Sequence, residues 1–341
     1  GKPCIMGNVV SPTCMTTMAK NLLPYIPQSP TGRVTTLDPT PQDGSMYLMR
    51  TDWNVSDQHI VSANVFLDRN TRDRPMFRAG NVPGYLGSYL DQGTTKATLN
   101  DTYTFSPTVL NQATLTFLRS ASNSDVTDTV THDEIGVNLP FYPESGRLGV
   151  SIGDISFGSG SRVLFVSNNW QFRNQTTWTA GRHNLKFGGE WLHLTFLQIF
   201  LGSTSMSFNG SRTGEPMADF LVGAFTQTSG GFGIRTNDNI QDAPSLFIQD
   251  DFKAHPRLTL SFGLRWEPLF PWVDKYDRLT SLAAAGSNVR STRFPDAPPG
   301  LLFAGDPGVP RTIAGPDKNN FAPRFGFAWD IFGNGQTSVR G

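Results

Sequence analysis

The segment Pro244–Glu267, PSLFIQDDFKAHPRLTLSFGLRWE, limits what this chain can become more than any other stretch. In its second half Leu258, Leu260, Phe262, Leu264 and Trp266 fall on one face and Thr259, Ser261, Gly263, Arg265 and Glu267 on the other. A period of two with one apolar and one wet side is a β-strand between two unlike environments. The first half sets Leu246, Ile248 and Phe252 against Ser245, Gln249, Asp251 and Lys253. Asp250 falls out of step on the apolar side and Phe247 on the polar side. Ala254-His255-Pro256-Arg257 joins the halves, and proline with its fixed φ and missing donor marks a tight turn. The unit is an antiparallel hairpin of strands about ten residues long, the length a tilted strand needs to cross a bilayer. A hairpin of a soluble β-sandwich alternates as well, so the rest of the chain has to decide.

The pattern recurs. Tyr47, Met49, Thr51, Trp53 and Val55 alternate with polar neighbours before Ser56-Asp57-Gln58-His59 and a return strand over 60–68. Ala97, Leu99, Tyr103 and Phe105 do so before Ser106-Pro107-Thr108, with Ala113, Leu115 and Phe117 returning. Leu164, Val166, Trp170, Phe172, Thr176 and Trp178 lead to Ala180-Gly181-Arg182-His183, and Leu185, Phe187 and Trp191 return. Parity then slips at Leu192, Leu194 and Phe196, which predicts a bulge or an exit from the membrane. A last hairpin opens with Phe321, Phe325, Phe327 and Trp329 and turns at Asn334-Gly335, a pair that tolerates positive φ.

About ten strands in five hairpins result, with tight connections inside each hairpin and connections of roughly 25 to 50 residues between them. Short turns therefore collect at one end of the sheet and long loops at the other. That segregation predicts an all-β, antiparallel up-and-down transmembrane β-barrel, here a partial one, with short periplasmic turns and long extracellular loops. Residues 1–45, rich in proline, are expected to be an extracellular loop segment with a helical turn or two between Met15 and Tyr25. Residues 46–341 are expected to be barrel, with hairpins at about 46–68, 94–119, 162–197, 244–267 and 321–341. Met217 to Gly223 reads as a short helix within a long loop.

Composition agrees. Charged residues are 16% of 341, with 28 basic and 28 acidic, below the soluble norm of about 25%. Yet the mean hydropathy is −0.28 and no apolar run is long enough for a membrane helix. Zero net charge gives no electrostatic case for a nucleic-acid partner; the partner implied is outer-membrane lipid. Cys4 and Cys14 are the only cysteines, and their spacing in a loop-like segment points to a small disulfide in an oxidising compartment, with two free thiols as the alternative. The chain opens on Gly1 without an apolar leader and closes at Gly341 within a strand-like pattern, so a portion of a longer protein is expected.

No residue pattern predicts an enzyme, a metal site or a cofactor. His59, His132, His183, His193 and His255 are dispersed, and His59, His183 and His255 read as solvated turn residues, because acid–base or metal chemistry needs convergent partners. Asp250 and Asp251 are adjacent on a strand and point to opposite faces. Asp128, Asp133 and Glu134 miss the spacing of known calcium loops. The functional candidates are polar residues of the wet face: Arg50, Lys96, Arg173, Lys186, Glu190, Arg265, Glu267 and Arg324. Generic lumen polarity explains them, and substrate contact is the sharper reading. Trp272 and Tyr276, in the last long loop, are candidate stacking surfaces for a sugar or peptide.

Several motifs carry a resemblance. Phe247-Ile248-Gln249-Asp250-Asp251-Phe252-Lys253 with Arg257-Leu258-Thr259-Leu260 and Gly263-Leu264-Arg265-Trp266-Glu267, the strand Asn319 to Asp330 (NNFAPRFGFAWD), Ala218 to Gly223 (ADFLVG) and Asn21 to Pro27 (NLLPYIP) together resemble the Oar-like TonB-dependent outer-membrane receptors. The resemblance implies a Gram-negative outer membrane and active uptake of a large nutrient such as a carbohydrate, peptide or chelate. It also implies coupling to the TonB complex through a plug domain that this chain does not contain, so no coupling residue can be assigned here. A passive porin or surface adhesin barrel, and a soluble secreted glycan-binding sandwich, are the alternatives.

Overall fold

The alternating stretches pair with their sequence neighbours, because each tight turn leaves the returning strand no other partner. A computed structural model describes all residues except 1–3, 38, 75–79, 84, 86, 128–131, 133, 138–147, 159, 161, 231–233 and 313. In chain order its main elements are α1 (Thr17–Leu22), β1 (Gln42–Ser56), β2 (His59–Arg74), β3 (Gly87–Ser106), β4 (Val109–Thr127), β5 (Leu148–Ile152), β6 (Ile155–Phe157), β7 (Val163–Ala180), β8 (His183–Leu201), β9 (Thr204–Phe208), α2 (Pro216–Val222), β10 (Gln227–Gly230), β11 (Ile234–His255), β12 (Leu258–Trp266), β13 (Phe321–Asp330) and β14 (Ser338–Arg340). The large sheet runs β14-β13-β12-β11-β8-β7-β4-β3-β2-β1, every neighbour antiparallel. It is an up-and-down meander that does not close, and β1 is exposed along its whole length.

The register places all apolar alternations on one face. Trp53, Leu99, Leu115, Phe172, Phe187, Ile248, Leu264 and Phe325 share it, each more than two-fifths exposed. On β8 this belt runs from Leu185 to Trp191, and on β12 from Leu258 to Trp266. About five outward positions per strand, at about 3.3 Å per residue and a tilt near 40°, give a belt about 25 Å tall, the height of a lipid-facing band. Trp178, Phe252 and Trp329 border it on the side of the short turns. Trp170, Trp191 and Trp266 border it on the other side, and Trp266 donates its indole N–H to the Lys318 carbonyl at 2.8 Å.

The strands outrun the expected ten residues. The seven from β1 to β11 in the large sheet span 15 to 22. The extra length lies beyond the belt on the long-loop side. There the two faces no longer divide into apolar and polar, so the period of two is lost while backbone pairing continues. The expected hairpin limits at 68, 94, 119, 197 and 244 are each short of the observed ends for that reason, while the expected start at 162 lies within one residue of Val163. The parity slip on β8 is not a bulge: its register with β11 is unbroken from His183↔Phe252 to Leu201↔Ile234. The ladder to β7 pauses between His193↔Trp170 and Leu197↔Val166. Side chains replace it there, with Asn168 N–H donating to Thr195 Oγ1 (3.0 Å) and Thr195 Oγ1–H to the Asn168 carbonyl (2.8 Å). This is the strand leaving the membrane belt.

The main buried cluster of the described residues lies outside the wall. Met18, Ala19, Leu22, Val82, Tyr85, Ile135, Leu148, Val150, Ile152, Phe157, Met206, Phe208 and Phe220 form one cluster on the long-loop side. It is framed by a second sheet, β10-β9-β5-β6, and by both helices. The expectation that 1–45 is loop needs correction: Gln42 already pairs with Arg72 in the wall, and α1 is folded into this extracellular body. Thr16 caps α1 by accepting from Ala19 N–H at 3.2 Å. α2 opens on Pro216 and ends at Gly223, whose φ of 74° is the left-handed cap a side chain would strain. Cys4 and Cys14 are joined in a disulfide with Cα atoms 5.7 Å apart. It bridges the short pairing of Ile5–Met6 with Val9–Val10 ahead of α1.

Candidate functional site

On the polar face the eight predicted residues all point the same way, set by the alternation of their strands, but they do not form one site. Arg50 lies on the edge strand and pairs with Asp52 at 2.8 Å. Lys96 stands across from Phe66 and Leu118. Glu190 accepts from Gln171 at 3.0 Å. Glu267, one residue past β12, accepts from Arg265 at 2.6 Å. Arg173, Lys186, Arg265 and Arg324 do converge. They surround a cleft of about 220 Å³ with Gln175, Gln249, Gly263, Ala322 and Phe247 on its lining.

Register explains the convergence. Gln175, Gly188, Phe247, Arg265 and Ala322 follow one another across five strands, and Lys186, Gln249, Gly263 and Arg324 form the next such line. Gly188, Gly263 and Ala322 present no more than a methyl group, so the wall has a floor of backbone. The longer side chains around it supply four positive charges. Arg265 is held by Glu267 and by Ser245 Oγ at 3.1 Å, and Arg173 donates to Gln175 Oε1 at 3.3 Å. Lys186 and Arg324 make no side-chain hydrogen bond or ion pair among the described residues. A floor of peptide with donors at its rim and one aromatic ring, Phe247, can hold an anionic or hydroxyl-rich solute by charge-assisted hydrogen bonds. Phe247 was the residue out of step with its strand's alternation.

Two histidines are more than solvated turn residues. His59 Nε2 lies 2.5 Å from Asp101 and His183 Nδ1 2.6 Å from Asp250, both on the apolar face beside the short turns. Asp250, the other out-of-step residue, is thereby partnered. The partners sit 42 and 67 residues away, out of reach of any local pattern. Asp128 and Asp133 lie outside the described residues, and among the described residues no group of three metal-ligating side chains gathers.

The last extracellular segment is organised by two buried carboxylates. Asp274 accepts from Arg278 Nη2 at 2.8 Å, from Arg278 Nε at 3.0 Å and from Tyr276 N–H at 2.9 Å. Burial pushes its carboxyl up, but Arg278 and the backbone N–H groups outweigh that and hold it down at about 2. Asp306 ties Thr292 and Phe303 together through N–H bonds of 2.8 Å each, and against its burial these hold it well below the usual carboxylate range. A carboxyl depressed on folding stabilises at every pH above its unfolded value of about 4 and loses that contribution as pH falls through its folded value. Protease resistance of 268–320 is therefore expected to be flat from pH 7 to about 4 and to fall between about 4 and 2. Asp274→Asn should weaken the segment by about 2 kcal/mol at pH 7 and flatten that fall. Trp272 and Tyr276 stay partly open there, and Tyr276 carries Arg278 4.9 Å above its ring.

A meander whose one face is an apolar belt with aromatic borders, and whose other face is a wet, charged wall, is part of a transmembrane β-barrel. The chain belongs to the outer membrane beta-barrel domain family, whose model matches residues 1–341, and its place is the outer membrane of a Gram-negative bacterium. In structure it is similar to the outer membrane transporter YddB from Escherichia coli, with a TM-score of 0.52 at 14% identity over 91% of this chain. It spans about a third of that transporter's length, 32%. No curated protein matches it in sequence.

Proposed function

We propose that this chain is barrel wall of a TonB-dependent outer-membrane receptor of the Oar-like kind, which takes up a large nutrient: a carbohydrate, a peptide or a chelate. The observation that carries the reading is the cleft of Arg173, Lys186, Arg265 and Arg324 over a floor of Gly263 and Ala322 on the polar face. Such a site favours the anionic groups of a passing solute over neutral ones. The open edge at β1 belongs to the same reading. Unpaired backbone groups cost several kcal/mol each in a bilayer, so in the working receptor that edge pairs with further strands. Coupling to the TonB complex runs through a plug domain outside this chain.

Uptake by the intact receptor in its own host tests this. Uptake of an anionic oligosaccharide or peptide should stop when TonB is deleted. It should fall about tenfold or more in Lys186→Gln/Arg324→Gln, which removes two charge-assisted donors. Uptake that persists without TonB would identify a passive pore instead.

A further inference from the structure

Along the extracellular border of the apolar face two arginines come together on either side of β3. The outward positions just above the belt are Asn168 on β7, His193 on β8 and Asp242 on β11, but Arg119 on β4 and Arg69 on β2. The two arginines flank one residue. Thr95 on β3 stands directly across from Arg119, and Arg69 reaches back over Gly93 to place Nη2 3.4 Å from Thr95 Oγ1. Gly93 permits this path, since a Cβ there would lie 3.0 Å from Arg69 Nη1 and 3.2 Å from its Cδ. The remaining partners are neutral: Arg69 Nη1 donates to the Asp68 carbonyl at 2.8 Å and the Thr94 carbonyl at 3.3 Å, and Arg119 Nη1 to Asn168 Oδ1 at 2.7 Å. Neither arginine forms an ion pair among the described residues, and both are exposed. The nearest acids on this face by register are Asp91 and Asp43, both across from Thr71, one outward position beyond Arg69. Below the pair the belt begins with Ala97, Phe117 and Trp170, the two rings 4.8 Å apart.

We propose that Arg69 and Arg119 clamp the phosphate of an outer-leaflet lipid whose acyl chains lie on Phe117 and Trp170. Two fixed guanidinium groups at the level of the headgroups, above an aromatic floor at the level of the chains, match both ends of such a molecule. Neutral acceptors hold the guanidiniums in place without cancelling their charge. The assignment rests on the orientation of the wall in the outer membrane and is independent of what the lumen transports.

The test is native mass spectrometry of the intact receptor in detergent, titrated separately with diphosphoryl lipid A, with lipid A stripped of its phosphates and with inorganic phosphate. Arg69→Gln/Arg119→Gln should bind the phosphorylated lipid about 30-fold more weakly, roughly fivefold per arginine. Arg69→Lys/Arg119→Lys should recover part of that loss, and the stripped lipid should bind wild type and variant equally weakly. Unchanged binding of the phosphorylated lipid by the glutamine variant overturns the proposal. So does inorganic phosphate bound by wild type with the same arginine dependence, because the ligand would then be a free anion. Retained heat-dependent gel mobility of each variant shows that its barrel is folded.

Discussion

Phe220→Ala is expected to melt the extracellular body while the barrel wall stays folded. Phe220 is fully buried on α2, its ring edge-on to Phe208 with centroids 5.5 Å apart. Removing a buried phenylalanine costs about 3–5 kcal/mol in lost transfer energy and cavity. A core of about this size supports little more than that. α2 has seven residues and cannot persist without tertiary contacts. Its loss also frees Asp219, which is buried and accepts from Thr213 N–H and Oγ1–H at 2.7 Å each. The N-terminal segment goes with it, because Thr16 N–H bonds the Leu221 carbonyl at 3.0 Å. Hydrogen exchange should show α1, β9 and α2 losing protection, with β7, β8 and β11 unchanged. Retained protection in α2 would mean that this cluster does not hold the body together.

The wall was legible in the sequence and the body was not, for one physical reason. A lipid belt imposes a period of two on every strand that crosses it, so Leu258 to Trp266 announce their own structure. The body's core has no shared period: Leu22, Val150, Phe208 and Phe220 come from segments separated by long insertions, and only their packing reveals them. The helical character between Met15 and Tyr25 and over Met217–Gly223 was visible, but not that both serve one core. The same limit applies to the cleft. Parity alone assigns Arg173, Lys186, Arg265 and Arg324 to the wet face. Which of eight polar residues become neighbours depends on strand register, and register is set by turns and bulges such as the shift between Lys253 and His255. Phe247 and Asp250 were the informative exceptions. Each broke its strand's alternation, and each has a specific place, one on the cleft and one against His183.

The second large effect separates wall from site at two glycines of the polar face, Gly188 beside the cleft and Gly263 on its floor. An alanine Cβ at Gly188 would lie 2.1 Å from the Asn174 carbonyl oxygen and 3.0 Å from Gln175 Cα. Both are backbone of β7, and Gly188 pairs with Gln175 in the centre of the ladder, so no side chain can swing away. β7 and β8 must part instead. Overpacking of this kind costs about 3 kcal/mol, and opened backbone bonds at membrane depth add more. Gly188→Ala should therefore leave little heat-modifiable barrel on a gel and lower the denaturant midpoint of what assembles. At Gly263 the same substitution meets only ordinary contacts, 3.7 Å to Arg324 Cβ and to the Ile248 carbonyl. Gly263→Ala should fold within about 0.5 kcal/mol of wild type, while its methyl group fills part of the cleft between Lys186 and Arg324. Weakened uptake by Gly263→Ala with an intact barrel would make the floor a contact surface. Normal uptake would reduce the glycine to a wall position and leave solute recognition to the charges around it.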